Sequence, residues 1–284
     1  MPDNLSFFTL DDDGSSLVPT PLAISSWSET QLHGVAVSGA LARAAESEVH
    51  AAGRTDLRAA RWTVDLFRPV RNEPLVIRTE VVRESARLLL VDVAVEQEGR
   101  TVTRAAGLFL KPTETPDVGL WAPEPDPLFA PPPLEVAPAA EEPHVPFVRS
   151  DADWSQDFGA HQNAGRKSSW NHVVPVVPQE RPSGFVAAAA TADGASLTTN
   201  WGARGVEHIN TDLTLTLTRL PDGLDVGLTA LHRTEHDGIA AGTSVMFDRS
   251  GVCGTVQVTA LANSRRAINF EQVRYRDDGT RVEA

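Results

Sequence analysis

A four-strand pattern that occurs twice constrains the fold of this chain more than any other feature. Within residues 208–262, Leu213, Leu215 and Leu217 alternate with threonines, which predicts a strand with one apolar face. The turn residues Pro, Asp and Gly at 221–223 follow. Three further strands are predicted at 226–233, 240–247 and 252–261. The segment is therefore expected to form an antiparallel meander.

Residues 63–109 carry the same pattern. Arg68 corresponds to Arg219 at an offset of 151 residues, and Val76 corresponds to Val226 at an offset of 150. The offset changes only inside turns, as expected for a duplicated unit whose loops have diverged. The sequence therefore predicts a pseudo-dimer within one chain.

The two copies differ in their polar residues. The second copy carries an acid, a hydroxyl and an amide, at Asp212, Thr234 and Gln257. The first copy has Arg61, Glu84 and Ala105 at the corresponding positions. A polar set that is kept in only one copy indicates a single site.

Composition limits the class of protein. The chain has 284 residues, 41% of them apolar, and no apolar run long enough to span a membrane. The N-terminus has neither the basic start nor the apolar core of a signal peptide. Cys253 is the single cysteine, so no internal disulfide is expected, and a reducing, cytoplasmic location is predicted. A net charge of −13 disfavours nucleic acid as a partner.

Two helices rich in small residues are predicted, one before each meander. The capping-box pattern Ser-Glu-Thr-Gln at 28–31 predicts a helix that continues to about His50 and contains Gly34 and Gly39. Pro182 and Ser183 predict the start of an alanine-rich helix that ends at Gly194, and residues 196–205 are expected to form a loop.

The proline distribution predicts the domain boundary. Eleven of the twenty prolines lie at 112–146, which disfavours regular structure there. The expected divisions are an N-terminal domain at 1–115, a linker at 116–146, a C-terminal domain at 147–265 and a tail at 266–284.

Three motifs resemble those of the bacterial type II acyl-CoA thioesterases. L-H-G-V-A-V-S-G-A-L-A-R-A-A-E from residue 32 resembles the glycine-containing helix of that family, and N-T-D-L-T-L-T-L-T-R-L-P from residue 210 resembles its acidic strand. V-C-G-T-V-Q from residue 252 resembles the strand that carries its glutamine. The resemblance implies an α+β double hotdog fold, with two antiparallel curved sheets, each wrapped around a central helix.

The same resemblance implies a site and an activity. The family's aspartate, strand hydroxyl and glutamine fall on Asp212, Thr234 and Gln257, which would hold and activate a water. His33 and Gly34, at the start of the first helix, are predicted to bind substrate, with backbone N–H groups for the oxyanion. The implied reaction is hydrolysis of fatty acyl-CoA to free acid and CoA, without cofactor. The sequence departs from the family pattern at Leu213 and around Thr234.

Other interpretations of these residues remain open. Asp212 could cap its strand, Thr234 could be an ordinary strand-end threonine, and Gln257 could be a satisfied core amide. The alternative function is a non-catalytic acyl-CoA-binding or scaffold protein of hotdog fold. No metal is predicted, because the spacing of His208, His232 and His236 matches no common zinc signature. Neither a G-x-S-x-G elbow nor a D-x-N-P-x-H hydratase pattern occurs.

The duplication also predicts assembly. Two copies in one chain can pair their exposed sheet edges with each other, so the monomer is expected to be the minimal folded unit. A homo-oligomer of this double unit remains possible, and acyl chain length is left open. The site is expected to be composite, with the first helix meeting residues of the second meander.

Overall fold

The computed structural model describes residues 5–117, 119–121, 123–124, 126–275 and 281–283. Its main feature is one antiparallel sheet of ten strands. In chain order these are β1 (Arg58–Asp65), β2 (Val76–Ser85), β3 (Leu88–Gln97), β4 (Arg100–Leu110), β5 (Phe147–Arg149), β6 (Ser168–His172), β7 (His208–Leu217), β8 (Asp225–His236), β9 (Ile239–Asp248) and β10 (Gly251–Ala262). Across the sheet their order is β2-β3-β4-β1-β7-β10-β9-β8-β6-β5.

Three helices pack on one face of this sheet. They are α1 (Gly34–Ala51), α2 (Gly184–Ala192) and α3 (Gly194–Asn200). α1 lies on β2, β3 and β4, α2 lies on β7 and β8, and α3 lies on β7 to β10. α1 and α2 also contact each other, and one continuous apolar core runs through both halves. No helix among the described residues is long and apolar enough to cross a membrane.

Short hairpins and 3-10 turns lie outside the main sheet. The hairpins pair Phe8–Leu10 with Leu17–Pro19, Ile24–Ser25 with Ser28–Leu32, Trp201–Gly202 with Gly205–Val206, and Val273–Tyr275 with Arg281–Glu283. The 3-10 turns are Pro21–Ala23, Pro127–Phe129, Gly159–His161, Ser264–Arg266 and Phe270–Gln272.

The two meanders share one sheet, where the sequence predicted two. β1 and β7 pair antiparallel, with Thr63 opposite Thr214. These two threonines are 151 residues apart, which equals the offset between the two copies. The pseudo-twofold axis that relates the copies therefore passes between them. Each half therefore covers the other's free edge, and β2 and β5 remain as the outer edges.

The structure supports the predicted duplication. Both halves have the same strand order outward from the junction. β-bulges between Ala59 and Arg61 and between Asn210 and Asp212 are 151 residues apart. The two bulges interrupt strand pairing at equivalent positions. Each therefore changes the direction of the side chains along its strand in the same way in both copies.

Two local predictions are wrong. Ser28–Leu32 is a strand paired with Ile24–Ser25 rather than the first turn of a helix, and α1 begins six residues later at Gly34. Residues 196–200, part of the segment 196–205 that was expected as loop, belong to α3, which begins at Gly194, two residues after the end of α2. Helix-boundary signals failed here because strand pairing and packing under the sheet outweigh local propensity.

The proline-rich segment packs on the face of the sheet opposite the helices. Thr229 on β8 donates a hydrogen bond to the Leu128 carbonyl at 3.1 Å, and Arg249 donates to the Ala137 carbonyl at 2.6 Å. Trp170 and Phe247 are fully buried beneath it. The segment therefore belongs to the folded body of the second half.

A buried ion pair fixes the β9–β10 end of the second half. Arg219 donates to both oxygens of Asp248, at 2.7 and 2.6 Å. The backbone N–H groups of Asp222 and Ser250 each donate to Asp248 at 2.7 Å. Burial alone would raise the pKa of Asp248, but these hydrogen bonds hold it below its ordinary value. In the first half Gln97, 151 residues earlier, binds the corresponding turn through the Arg71 backbone.

We expect Asp248→Asn to lower the free energy of unfolding by about 3 kcal/mol, because it leaves Arg219 with a neutral partner. Since the folded pKa of Asp248 is depressed, its contribution is present above the ordinary carboxyl pKa of 3.8 and is lost as pH falls below it. Urea unfolding between pH 3 and pH 7 measures both effects.

The matched control is Asp237→Asn, at a turn residue with a positive φ whose side chain is 85% exposed. It should leave stability and its acid dependence unchanged to within ~0.5 kcal/mol. Equal effects of the two substitutions would contradict the role given to Asp248.

Candidate functional site

The predicted residues Asp212 and Gln257 lie on the face of the sheet opposite the helices. Leu213 on β7 and Val256 on β10 are buried against the helices, so their neighbours in sequence point the other way. Asp212 accepts hydrogen bonds from the Thr211 hydroxyl at 3.1 Å and the Thr259 N–H at 3.2 Å. Gln257 is exposed. These contacts are those of a strand-capping carboxylate and a surface amide.

Thr234 is not brought to the other two. It is exposed on β8, and β9 and β10 separate it from β7. The register passes from Asp212 to Thr259, then Ala241, then Thr234. Three strand spacings amount to about 14 Å. The prediction that Asp212, Thr234 and Gln257 together hold one water is therefore not met by this arrangement.

The bulge on β7 explains the difference. It inserts Thr211, so that Asn210 points towards the helices and Asp212 points away from them. The sequence carried a usable signal, because placing Leu213 in the core assigns Asp212 to the opposite face. The same argument applies to Gln257, which lies between buried Val256 and Val258.

His33 is the N-cap of α1. Its Nδ1 accepts a hydrogen bond from the Ala36 N–H at 3.1 Å, and its Nε2 donates to the Leu22 carbonyl at 2.8 Å. These partners require the neutral tautomer with the proton on Nε2. Burial lowers the pKa of His33, which keeps the ring neutral. Both ring nitrogens are engaged, so His33 orients the helix and has none left for substrate.

Gly34 meets a carboxylate from the second half. A Cβ at this position would lie 2.2 Å from Oδ1 of Asp193, closer than any non-bonded contact allows. Among the described residues, none accepts a hydrogen bond from the Gly34 N–H. Glycine is therefore required at this helix start, and its amide is available to a ligand.

Asp193 lies between α2 and α3 and reaches the N-terminus of α1. Asn210 donates to its Oδ1 at 2.9 Å. Burial raises the pKa of Asp193, against the hydrogen bonds from Asn210 and the Val35 backbone. A helix N-terminus favours a negative charge and so opposes the effect of burial on the pKa of Asp193, which remains above its ordinary value. That combination suits a general base.

Sequence reasoning missed both Asp193 and Asn210. In the sequence, Asp193 stands at the end of an alanine-rich helix. An acidic residue directly after a run of buried residues is nevertheless a signal of a buried carboxylate. The motif resemblance points to Asp212 and not to Asn210, two residues earlier. The contact between Gly34 and Asp193 joins residues of the first and second halves.

The other helix start is not equivalent. Ser183 caps α2, and Glu46 of α1 lies near it with a pKa raised chiefly by burial. The position that corresponds to Asn210 in the first half is Ala59, which carries no amide. The polar group of Gly34, Asp193 and Asn210 therefore has no equivalent at the start of α2.

A cavity of about 750 Å³ opens at the C-terminal end of α3. Its lining includes Asn200, Trp201, His208 and Arg233. Nε1 of Trp201 and Nε2 of His208 are buried without a hydrogen-bond partner among the described residues. His208 precedes Asn210 by two residues on β7, so both point to the helix side of the sheet. The cavity and the α1 N-terminus are therefore neighbours along one strand.

The three histidines near Asp212 do not converge. Nε2 of His208 lies 3.5 Å from Glu235 in the cavity wall. His232 and His236 are exposed on β8.

Comparison with known proteins identifies the first half. Residues 23–110, which contain α1 and the first meander, match the acyl-CoA thioesterase N-terminal domain family. A search of curated protein sequences finds no significant match to the chain. The resemblance to acyl-CoA thioesterases is confirmed for the matched segment.

Solved structures show the same fold over most of the chain. A hot dog fold protein of Alicyclobacillus acidocaldarius is 20% identical, with a TM-score of 0.63 over 89% of this chain and 95% of its own. The tesB protein of Mycobacterium avium subs paratuberculosis is 15% identical, with a TM-score of 0.60 over 82% and 88%. An acyl-CoA thioesterase II of Mycobacterium marinum is 16% identical, with a TM-score of 0.53 over 81% and 90%. The chain therefore has a hotdog fold.

We expect Gly34→Ala to destabilise the protein by about 1–3 kcal/mol, because the new methyl group displaces the Asp193 carboxylate. Combined with Asp193→Ala, which removes the obstructing atoms, the loss should be smaller than the sum of the two single losses. Thermal unfolding of the four proteins measures this coupling.

Gly202→Ala is the control, since a Cβ there meets nothing within 4 Å. It should leave the melting temperature unchanged. Additive effects at Gly34 and Asp193 would contradict their contact.

Proposed function

We propose that this protein hydrolyses acyl-CoA thioesters at the N-terminus of α1. In this proposal Asp193 is the general base, Asn210 orients it, and the Gly34 N–H donates to the developing oxyanion. The supporting observation is the convergence of a carboxylate, an amide and an available backbone N–H from two halves. The match of residues 23–110 to an acyl-CoA thioesterase domain supplies the substrate class.

The proposed chemistry needs no covalent intermediate. A water gives one proton to Asp193 while its oxygen bonds to the thioester carbonyl carbon. The carbonyl oxygen becomes an oxyanion, which the Gly34 N–H stabilises together with the α1 dipole. The carbon–sulfur bond then breaks, and the CoA thiolate takes the proton from Asp193, which restores the base. A base with a raised pKa is suited to this exchange near neutral pH.

The cavity beside α3 is proposed to hold part of the substrate. Its volume of about 750 Å³ lies in the range of small-molecule sites. His208 and Asn210 connect it to the α1 N-terminus along one strand face. Nε1 of Trp201, which has no hydrogen-bond partner among the described residues, would donate to a polar group of the ligand.

The two halves are proposed to act as the two units of a double hotdog. Each half contributes a helix and a four-strand meander. The antiparallel contact of α1 and α2 lies at the position where two separate hotdog subunits would contact each other. The outer edges at β2 and β5 leave room for a homo-oligomer of this unit. The chain's site would then be single, because Ala59 replaces Asn210 in the first half.

Two competing proposals remain distinct. In one, the predicted group of Asp212, Thr234 and Gln257 performs the chemistry from the opposite face of the sheet. In the other, the protein binds acyl-CoA without hydrolysing it, an idea favoured by the exposure of Thr234 and Gln257. One set of variants separates all three.

We expect Asp193→Asn to lower kcat about 100- to 10,000-fold with little change in KM, because the amide cannot accept the water's proton. Release of free thiol from a panel of acyl-CoAs of increasing chain length measures turnover. Circular dichroism and thermal unfolding confirm that the variant is folded.

Asp212→Asn serves as the matched control and should hydrolyse at the parental rate. The reverse result, loss in Asp212→Asn alone, would replace Asp193 by the predicted group. Saturable acyl-CoA binding in calorimetry without thiol release from the parent would establish the binding protein instead.

We also expect kcat/KM to fall at acidic pH with a midpoint above the ordinary carboxyl pKa of 3.8, since burial raises the pKa of Asp193 and only its ionised form is a base. Asn210→Ala removes a hydrogen bond that lowers this pKa, so the acidic limb should move to higher pH. The pH profiles of the parent, Asn210→Ala and Asp212→Asn measure this. An acidic limb that moves in Asp212→Asn and not in Asn210→Ala would refute the assignment.

A further inference from the structure

A second cluster of potential ligand side chains lies away from the α1 N-terminus. His144, His172 and Asp225 each offer one ligand atom, and these three atoms lie within 4.8 Å of one another. His172 is the last residue of β6 and Asp225 the first of β8, and the two are paired across the strands. His144 comes from the proline-rich segment, three residues before β5. Sequence spacing could not reveal the group, since its members are 28 and 53 residues apart.

We propose that these three residues form a binding site for a divalent transition metal, with zinc as the ion that fits them best. Two imidazoles and one carboxylate are the ligand types of a zinc site, and Mg²⁺ and Ca²⁺ prefer all-oxygen sites. In a tetrahedral zinc site the ligand atoms are about 3.3 Å apart, so small side-chain rotations bring this set to bonding distance.

The hydrogen bonds of both histidines orient them as metal ligands. Nδ1 of His172 bonds to Oδ1 of Asp225 at 2.7 Å, and Nδ1 of His144 bonds to the Val145 carbonyl at 2.8 Å. An ionised carboxylate and a carbonyl accept only, so each ring carries its proton on Nδ1. At His172 a metal would displace this proton and bind between Nδ1 and Oδ1 of Asp225, which already face each other, and at His144 the Nε2 has the free lone pair that a metal requires. Among the described residues, neither Nε2 has a hydrogen-bond partner.

Burial makes the group suitable for a stable ion. The side chains of His172 and Asp225 are 3% and 15% exposed. Among the described residues, no basic side chain forms an ion pair with Asp225 apart from His172, so its charge is available to a cation. The ring of His144 lies 5.8 Å from that of His172, centre to centre, on the side of the proline-rich segment. An ion here would be shielded by protein on both sides.

The position of the site defines its effect. A metal would join the proline-rich segment to strands β6 and β8 of the sheet. The segment is otherwise held on the sheet by hydrogen bonds such as that of Thr229 to the Leu128 carbonyl. The ion would thus act as a cross-link that stabilises the second half. It would bind the folded protein only, and so raise its melting temperature with concentration.

The test is a zinc titration of the tag-free, full-length protein after dialysis against chelator. Calorimetry should show one zinc per chain, and thermal unfolding should shift upward by several degrees. Cobalt in place of zinc should give the visible absorption bands of a tetrahedral site. Mg²⁺ at the same concentration should do neither.

His144→Ala, on the segment outside the strands, should weaken zinc binding by at least about 100-fold and abolish the upward shift, with the metal-free melting temperature nearly unchanged. His172→Ala and Asp225→Asn should weaken zinc binding to a similar extent. His236→Ala, at an exposed histidine on β8, should bind zinc as the parent does. Unchanged affinity in His144→Ala, an equal loss in His236→Ala, or no binding by the parent would each overturn the proposal.

Discussion

The close antiparallel contact of α1 and α2 determines the arrangement of the candidate site. Ser38 donates to the Ala189 carbonyl at 2.6 Å and accepts from the Trp62 indole at 3.0 Å. A Cβ on Gly39 would lie 3.3 Å from that of Ala190, so only small side chains permit this approach. Because the two helices are antiparallel, the N-terminus of α1 lies beside the C-terminus of α2, where Asp193 follows the last helical residue. That geometry brings Asp193 to Gly34, and any larger residue along the contact would separate them.

Sheet pairing and helix pairing reinforce each other because both follow the same pseudo-twofold relation. The β1–β7 junction is centred on Thr63 and Thr214, and the helices cross the same junction. Phe185 of α2 packs edge-on against Trp62 and Phe109 of the first half. Since the core is continuous across the junction, neither half buries its apolar face alone. The monomer therefore forms internally the interface that a dimer would form between chains.

The sequence predicted the meanders well, because alternation over eight or more residues and its repetition at 150–152 residues are strong signals. It predicted helix starts less well, since the Ser28 pattern lies in a strand and the cap is the His33 ring. Motif similarity alone did not predict the position of the candidate site, because it carries no information on side-chain direction. The alternation that places Leu213 in the core also places Asp212 outside it, and the bulge that turns Asn210 inward depends on strand pairing that no local pattern encodes.

Duplication allows the two ends of the sheet to differ, as the region after each helix demonstrates. Arg54, just after α1, folds inward and donates to the Ser85 carbonyl at 2.8 Å and the Ala86 carbonyl at 3.2 Å. Its counterpart at an offset of 150 is Arg204, which is 81% exposed and pairs with Glu207 instead. One arginine therefore closes the end of the first half, while the outward turn of the other leaves the cavity of the second half open. In a symmetric dimer of identical chains both ends would be alike, so one closed end and one open end require that the two copies be joined in one chain and free to diverge.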